Sequence, residues 1–150
     1  MVRTRRMTGT LRGVVLAAVA GLGLAAFAGS ATAADQPTVS YSKDIQPIFK
    51  ASCIKCHSLD NPRHKAAAGF RLDNRDMALK GGDNAHEKDI IPGNAKESVL
   101  VQLLHGSVTV EGEDIESMPK KKKGESFKPL PEKQVELIKA WIDQGAKWSG

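Results

Sequence analysis

The two cysteines of this chain lie two residues apart and are followed at once by a histidine, in the order Cys53, Cys56 and His57. Two thiols at this spacing can form thioethers with the two vinyl groups of a porphyrin, and the adjacent imidazole can then bind the iron. The same residue types could instead form a dithiol redox pair or one half of a zinc site. The surrounding sequence has to decide among these three kinds of chemistry.

The context of the motif favours the haem. A dithiol redox pair is expected between a strand and a helix, whereas here an apolar helical pattern precedes the cysteines. A structural zinc site would need a further ligand such as His64, and a second cysteine pair is absent from the sequence. Aromatic residues make up only 5% of the chain, so a haem would add apolar volume to a small core. We therefore predict one covalently attached haem c, with Cys53 and Cys56 as its thioether residues and His57 as an iron ligand.

The N-terminal segment has the three parts of a bacterial secretory signal peptide. Four arginines precede an uncharged run of 17 residues, 13–29, and residues 31–33 (Ala-Thr-Ala) offer a cleavage site. An uncleaved membrane anchor is the alternative, because such a run reaches the lower limit of a membrane span. We predict that residues 1–33 are removed and that residues 34–150 form the mature protein in the periplasm, without membrane insertion.

Charge and length limit the class of the mature protein. The chain carries 22 Lys and Arg against 17 Asp and Glu, but four of the arginines lie in the leader. The mature domain is therefore close to neutral, which removes the main support for nucleic-acid binding. Its length suits a single small domain.

Four stretches of the mature chain show the spacing of amphipathic helices. In the first, Ile45, Ile48 and Phe49 share one face of a helix that runs into the cysteine motif, with Ser42 as its N-cap. The other three stretches are "DNRDMALKGG", "AKESVLVQLLHG" and "PEKQVELIKAWIDQGAKW". We find no convincing strand pair. The prediction is an all-α fold of about four short helices, with long loops that a central haem would hold in place.

Polar residues and glycine predict where the two middle helices begin and end. Asp73 or Asn74 would cap the second helix, and Gly81 would end it. Asn94 followed by Glu97 resembles a capping box and would open the third helix.

The iron could take a second axial ligand from five side chains: Met77, Met118, His64, His86 and His105. Met118 is favoured because it stands in the loop "ESMPKKKKG", where Pro119 restricts it to an extended conformation that suits a thioether projected onto iron. Met77 falls inside a predicted helix and is more simply a core residue. Methionine and histidine together would saturate the iron, so that it carries electrons and does not bind substrate.

The order of these features resembles class I cytochrome c, and more closely the planctomycete-type cytochrome c domain. The matching stretches are "KDIQPIFKASCIKCH", "GFRLDNRDMALKGGD", "IIPGNAKESVLVQLLHG", "SMP" and "LIKAWIDQGAKW". The resemblance implies that His57 is the proximal ligand and Met118 the distal one, and that the first and last helices cross. The chain departs from the family in having Lys120 where Met-Pro-Pro is common. Domains of this family are often fused to larger proteins, whereas we expect this one to stand alone.

Three further features could serve the same site. The basic run 120–123 would lie near a haem bound by Met118 and could steer a redox partner with an acidic docking face, although a solvated loop is an equal alternative. Arg71 and Arg75 are candidate partners of the haem propionates, since guanidinium groups pair well with carboxylates. Trp141 could contact the haem, but its helical spacing favours a place in the core.

These observations predict a periplasmic monohaem cytochrome that carries single electrons between protein partners and is not itself an enzyme. A first alternative is a haem-bearing subunit of a larger oxidoreductase. A second is a haem protein with an open site that binds or senses a small ligand.

Overall fold

The computed structural model describes residues 38–60, 65–120, 123–124 and 126–149. Within these residues the helices are α1 (Gln46–Ser52), α2 (Arg75–Lys80), α3 (Val99–His105) and α4 (Glu132–Asp143), and the strands are β1 (Val108–Val110) and β2 (Glu113–Ile115). The predicted leader and His64 lie outside the described residues. None of the described helices combines the length and the apolar character that crossing a membrane requires.

The first helical segment begins earlier than the sequence predicts. A π-helical turn, Tyr41–Ile45, leads directly into α1, and its N-cap is Ser40, whose side chain accepts the N–H of Lys43 at 3.3 Å. The prediction of Ser42 as the N-cap is therefore wrong, because the cap lies two residues earlier. Pro47 then lies at the start of α1, where proline is tolerated because the first turn leaves N–H groups without intrahelical partners.

Aromatic contacts hold the first helical segment against the last helix. Phe49 meets Trp141 edge to face, with ring centroids 5.7 Å apart. The ring centroids of Tyr41 and Trp148 are 4.3 Å apart. Trp141 is 1% exposed, and its Nε1 donates to the carbonyl of Lys147 at 2.8 Å. The predicted packing of the first helix on the last is therefore present, and Trp141 is a core residue as expected.

Helix α3 separates two apolar clusters. The larger contains residues of α1 and α4 together with three residues of α3, Leu100, Val101 and Leu104, and Cys53 packs against it. The smaller is formed by Ala85, Val99, Leu103 and Val110, with Met118 packed against it. Burial of each leucine side chain contributes about 1.5–3 kcal/mol of stabilisation, so α3 is held from both sides.

The prediction that the chain contains no strand pair is wrong. Strands β1 and β2 form an antiparallel hairpin in which Val108 faces Ile115 and Val110 faces Glu113. Its two-residue turn places Glu111 and Gly112 at φ 53° and 89°, the left-handed values that match the twist of a tight hairpin. The apolar alternation in "VTVEGEDI" was the available signal, but its three acidic residues obscured it.

The third helix, in contrast to the first, begins later than predicted. Asn94 does accept the N–H of Glu97, at 3.1 Å, but this closes a separate turn before α3. The N–H of Ala95 bonds to the carboxylate of Asp143 on α4 at 2.7 Å. Because this tertiary bond fixes the turn against α4, the helix starts only after Ser98.

Candidate haem-binding site

Helix α1 delivers the cysteine motif into a tight turn. The N–H of Cys53 bonds to the carbonyl of Phe49 at 2.8 Å and ends the helix. The carbonyl of Cys53 then accepts the N–H groups of Cys56 and His57, at 3.0 and 2.9 Å. The three residues predicted from their spacing are therefore brought together by one turn of backbone, which keeps both thiols and the imidazole on consecutive positions of a single loop.

Backbone groups of a second segment fix His57. Its Nδ1 lies 3.2 Å from the carbonyl oxygen of Phe70, and the Phe70 ring meets the imidazole edge to face at 5.5 Å. The carbonyl of His57 accepts the N–H of Leu72 at 2.8 Å. A carbonyl can only accept, so Nδ1 carries the proton and donates it. The lone pair of Nε2 is then the one that can bind a metal ion.

Burial favours the neutral imidazole that iron requires. It lowers the pKa of His57, while hydrogen bonds to the carbonyls of Phe70 and Ala67 act in the opposite direction. A neutral ring with its proton fixed on Nδ1 is the form that coordinates iron through Nε2. The donor set of His57 and two adjacent thiols therefore fits a covalently attached haem.

The two thiols differ in their surroundings. Cys56 is exposed, whereas Cys53 is half-buried against the larger apolar cluster. Burial, with a smaller contribution from Cys56, raises the pKa of Cys53 to about 12. Dithiol redox pairs work through a cysteine of lowered pKa, which forms the reactive thiolate. The local environment therefore argues against thiol redox chemistry at this motif.

No group of three or more His, Cys, Asp or Glu side chains that could hold a metal ion occurs among the residues that the structure describes. His64, the further ligand that a zinc site would have used, lies outside them.

The loop that holds His57 is itself supported by a glycine pair. Gly81 ends α2 as predicted, with φ 80°. Asn74 caps the start of that helix, because its side chain accepts the N–H of Met77. A Cβ on the next residue, Gly82, would lie 2.5 Å from the carbonyl oxygen of Ala68 and 2.8 Å from Cβ of Phe70. A side chain at Gly82 would therefore displace the segment whose carbonyl orients His57.

Sequence reasoning missed the residues that support the iron ligand. Phe70 acts through its carbonyl, which every residue has, so no residue type could signal it. Gly81 was predicted only as a helix stop, and the adjacent Gly82 was given no role. The buried carboxylate of Asp89, which accepts the N–H of Gly82 at 2.8 Å, lies in a charged segment that looked like an exposed loop.

Met118 is anchored on the other side of α3. Its N–H bonds to the carbonyl of Leu103 at 2.8 Å, and its half-buried side chain packs against the smaller apolar cluster. Cys53 packs against the larger cluster, so the two predicted haem contacts belong to different parts of the core. Of the other candidate ligands that the structure describes, Met77 is half-buried on α2, and His86 and His105 are exposed.

The two arginines predicted as propionate partners both pair with nearby carboxylates. Arg71 makes a two-pronged ion pair with Asp73, at 3.0 Å from Nε and 2.7 Å from a terminal nitrogen. This hydrogen bond is the main cause that raises the pKa of Arg71 and lowers that of Asp73. Arg75 pairs with Asp76 at 2.9 Å, and both side chains are exposed. Either arginine would have to share or exchange its partner in order to bind a propionate.

The predicted basic surface beside Met118 is partly neutralised. Lys120 forms an ion pair with Glu116 at 2.7 Å, and the neighbouring hairpin presents exposed Glu111, Glu113 and Asp114. Lys123 is exposed, and residues 121–122 lie outside the described part of the chain.

This site and this arrangement of helices fit the class of c-type cytochrome domains. Comparison with known families narrows the class, because residues 53–122 match the family described as planctomycete cytochrome C. The matched segment begins at the first cysteine of the motif and includes His57 and Met118. The chain therefore carries a planctomycete-type cytochrome c domain, and membership of this family implies covalently bound haem c.

Among curated proteins, the chain is similar to the hydrazine synthase subunit alpha of Kuenenia stuttgartiensis. The two are 31% identical over 132 residues, and the match covers 75% of this chain. It spans only 16% of the length of that relative. No solved structure matches the chain.

Proposed function

We propose that residues 34–150 form a periplasmic monohaem cytochrome c that carries single electrons between redox partners, after removal of residues 1–33. Haem c would supply the Fe(II)/Fe(III) couple. Cys53 and Cys56 would hold the porphyrin covalently, and Nε2 of His57 would bind the iron. The observation that carries this proposal is the 3.2 Å hydrogen bond from His57 Nδ1 to the Phe70 carbonyl, because it orients the imidazole and makes it a better ligand.

Met118 is the proposed second ligand. Its N–H is fixed on Leu103 by a 2.8 Å bond, and its thioether lies among apolar side chains that would exclude water. A methionine opposite a histidine raises the reduction potential and leaves no coordination position for a substrate. The domain then acts as an electron carrier rather than an enzyme, with the chemistry of substrates left to its partners.

The partner we propose is a redox protein with an acidic docking face. Lys120 and Lys123 follow Met118 in the sequence, are both exposed and would attract such a face. Because Lys120 already pairs with Glu116, we expect a modest dependence of the electron-transfer rate on ionic strength.

Visible spectroscopy of the purified protein tests the proposal. The haem should stay attached after denaturation, and the oxidised protein should show the far-red band of a sulfur–iron bond. The reduced protein should not bind carbon monoxide at neutral pH, because both axial positions are filled. Absence of covalent haem would refute the whole proposal. Ready binding of carbon monoxide would instead refute the assignment of Met118 and favour an open-site ligand binder or sensor.

The predicted location has its own test. Periplasmic and cytoplasmic fractions of a bacterium that expresses the full chain should be compared, and the N-terminus of the exported form should be sequenced. We expect haem protein in the periplasm, starting at residue 34. A protein that stays in the membrane with residues 13–29 intact would show an uncleaved anchor.

A second candidate function is a haem-bearing subunit of a larger oxidoreductase. Its support is that the curated relative is named as a subunit and that the present chain matches only 16% of it. Size-exclusion chromatography of gently extracted native protein separates the two candidates. A free carrier elutes at the size of this domain alone, whereas a subunit elutes with other chains.

A further inference from the structure

We propose that Asp89 is a positioning residue for His57, acting through Gly82 and the Phe70 carbonyl. This inference rests on the proposed function, in which His57 binds the haem iron. It adds a residue that neither the sequence motif nor the family match assigns to the site. Three steps of the structure connect Asp89 to the imidazole.

The first step is the bond between Asp89 and Gly82. Asp89 is 8% exposed and is the one carboxylate among the buried residues of the described chain. Its Oδ2 accepts the N–H of Gly82 at 2.8 Å in a buried environment. A buried carboxylate is unfavourable unless it is hydrogen-bonded, and a buried N–H that loses its acceptor is unfavourable as well. The bond therefore fixes the position of Gly82.

The second step leads from Gly82 to His57. Gly82 packs so closely on the segment 68–70 that a Cβ would come within 2.8 Å of Cβ of Phe70. The next residue, Asp83, donates its N–H to the carbonyl of Ala68 at 2.7 Å. This segment then presents the Phe70 carbonyl that accepts Nδ1–H of His57 at 3.2 Å. A shift of Gly82 would be transmitted directly to that carbonyl.

The third step is the pair of backbone hydrogen bonds that joins the segment of Asp89 to α3. The carbonyl of Asp89 accepts the N–H of Leu100 at 3.1 Å, and the carbonyl of Lys88 accepts that of Val99 at 2.9 Å. Both donors belong to the first turn of α3, which is buried on two sides. Asp89 therefore links the support of His57 to the helix whose Leu103 holds Met118.

This arrangement predicts a specific electronic effect. A hydrogen bond from Nδ1 to a carbonyl makes the imidazole a stronger donor to iron and stabilises Fe(III). If Gly82 loses its acceptor, the Phe70 carbonyl moves and this hydrogen bond weakens. The reduction potential should then rise. The far-red sulfur–iron band should persist, because Met118 is anchored on Leu103 and not on the Gly82 segment.

The test compares three variants of the haem-loaded protein. Asp89→Ala removes the acceptor, whereas Asp89→Asn keeps an oxygen that can accept the N–H of Gly82. Glu87→Ala is the matched control, since Glu87 is an exposed carboxylate on the same loop. We expect an upward shift of the potential in Asp89→Ala and a value close to wild type in Asp89→Asn and in Glu87→Ala.

Several results would overturn the proposal. An unchanged reduction potential in Asp89→Ala would refute the proposal. An equal rise of the potential in Asp89→Asn would refute it as well, because that result would be caused by the lost charge and not by a lost acceptor. Hydrogen exchange at the Gly82 amide keeps the test decisive if Asp89→Ala does not fold. That amide should be protected in wild type and in Asp89→Asn, and fast exchange in wild type would refute the bond. Failure of the proposed function is seen separately, as missing covalent haem in wild type.

Discussion

The two candidate iron ligands are supported in different ways. The hydrogen bonds of His57 run through its N–H to Cys53, through Nδ1 to Phe70 and through its carbonyl to Leu72. All of these partners lie within residues 53–72. Met118 bonds through its N–H to Leu103 in α3 and otherwise depends on apolar packing between that helix and the hairpin. The histidine side is therefore built locally, whereas the methionine side depends on tertiary contacts.

The largest effect should follow from removing the covalent links on the histidine side. In the double variant Cys53→Ala, Cys56→Ala we expect complete loss of haem from the denatured protein, measured by haem staining of a gel. The single variant Cys56→Ala should keep one thioether and shift the reduced spectrum to longer wavelength, because one vinyl group remains conjugated. Haem that survives denaturation in the double variant would contradict the assignment of these thiols.

Replacing the methionine should change the iron without releasing the haem. In Met118→Ala we expect loss of the far-red band, a marked fall in reduction potential and binding of carbon monoxide to the reduced protein. Met77→Ala is the control, because Met77 is also half-buried but lies on α2. If Met77→Ala lost the band and Met118→Ala kept it, the second iron ligand would be Met77 and not Met118.

Two adjacent leucines of α3 can separate the two regions. Leu103 is 7% exposed and belongs to the cluster of Met118, whereas Leu104 is 4% exposed and belongs to the cluster of Cys53. Replacement of either leucine by alanine should lower the free energy of unfolding by about 2–5 kcal/mol, measured by urea denaturation. Only Leu103→Ala should also weaken the far-red band. Equal spectra in the two variants would mean that the clusters do not act separately on the ligands.

The smallest effect concerns pH. Burial raises the pKa of Asp89 in the folded protein, although the N–H of Gly82 and His86 partly oppose this. A raised folded pKa means that the contribution of Asp89 to stability is full in acid and is lost as the pH rises through that value. The stability of wild type relative to Asp89→Asn should therefore fall between acidic and neutral pH. Urea unfolding at a series of pH values measures this difference, with Glu87→Gln as the control, and a difference that grows with pH would contradict it.

The sequence predicted the parts of the molecule that depend on short-range chemistry. The spacing of Cys53, Cys56 and His57 is enough to indicate a haem site, because the thiols and the ligand lie within one turn of backbone. The start of α2 at Asp73 or Asn74 and its end at Gly81 were also predicted, and the structure has Asn74 as the cap. Such signals are local, since side-chain capping and positive φ are properties of single residues. The other three α-helices followed from the periodicity of apolar residues.

The tertiary structure decided the parts that depend on partners distant in sequence. The hairpin depends on the burial of Val110 against α3, whereas its exposed acidic residues resemble a loop in the sequence. The late start of α3 follows from the bond of Ala95 to Asp143, 48 residues away. The support of His57 by Phe70, Gly82 and Asp89 could not be predicted from the sequence either. It depends on the backbone carbonyl of Phe70, on the absence of a Cβ at Gly82 and on the burial of the Asp89 carboxylate. The sequence by itself determined which residues can carry a haem, and the fold decided what holds them, because those contacts join segments that no local pattern relates.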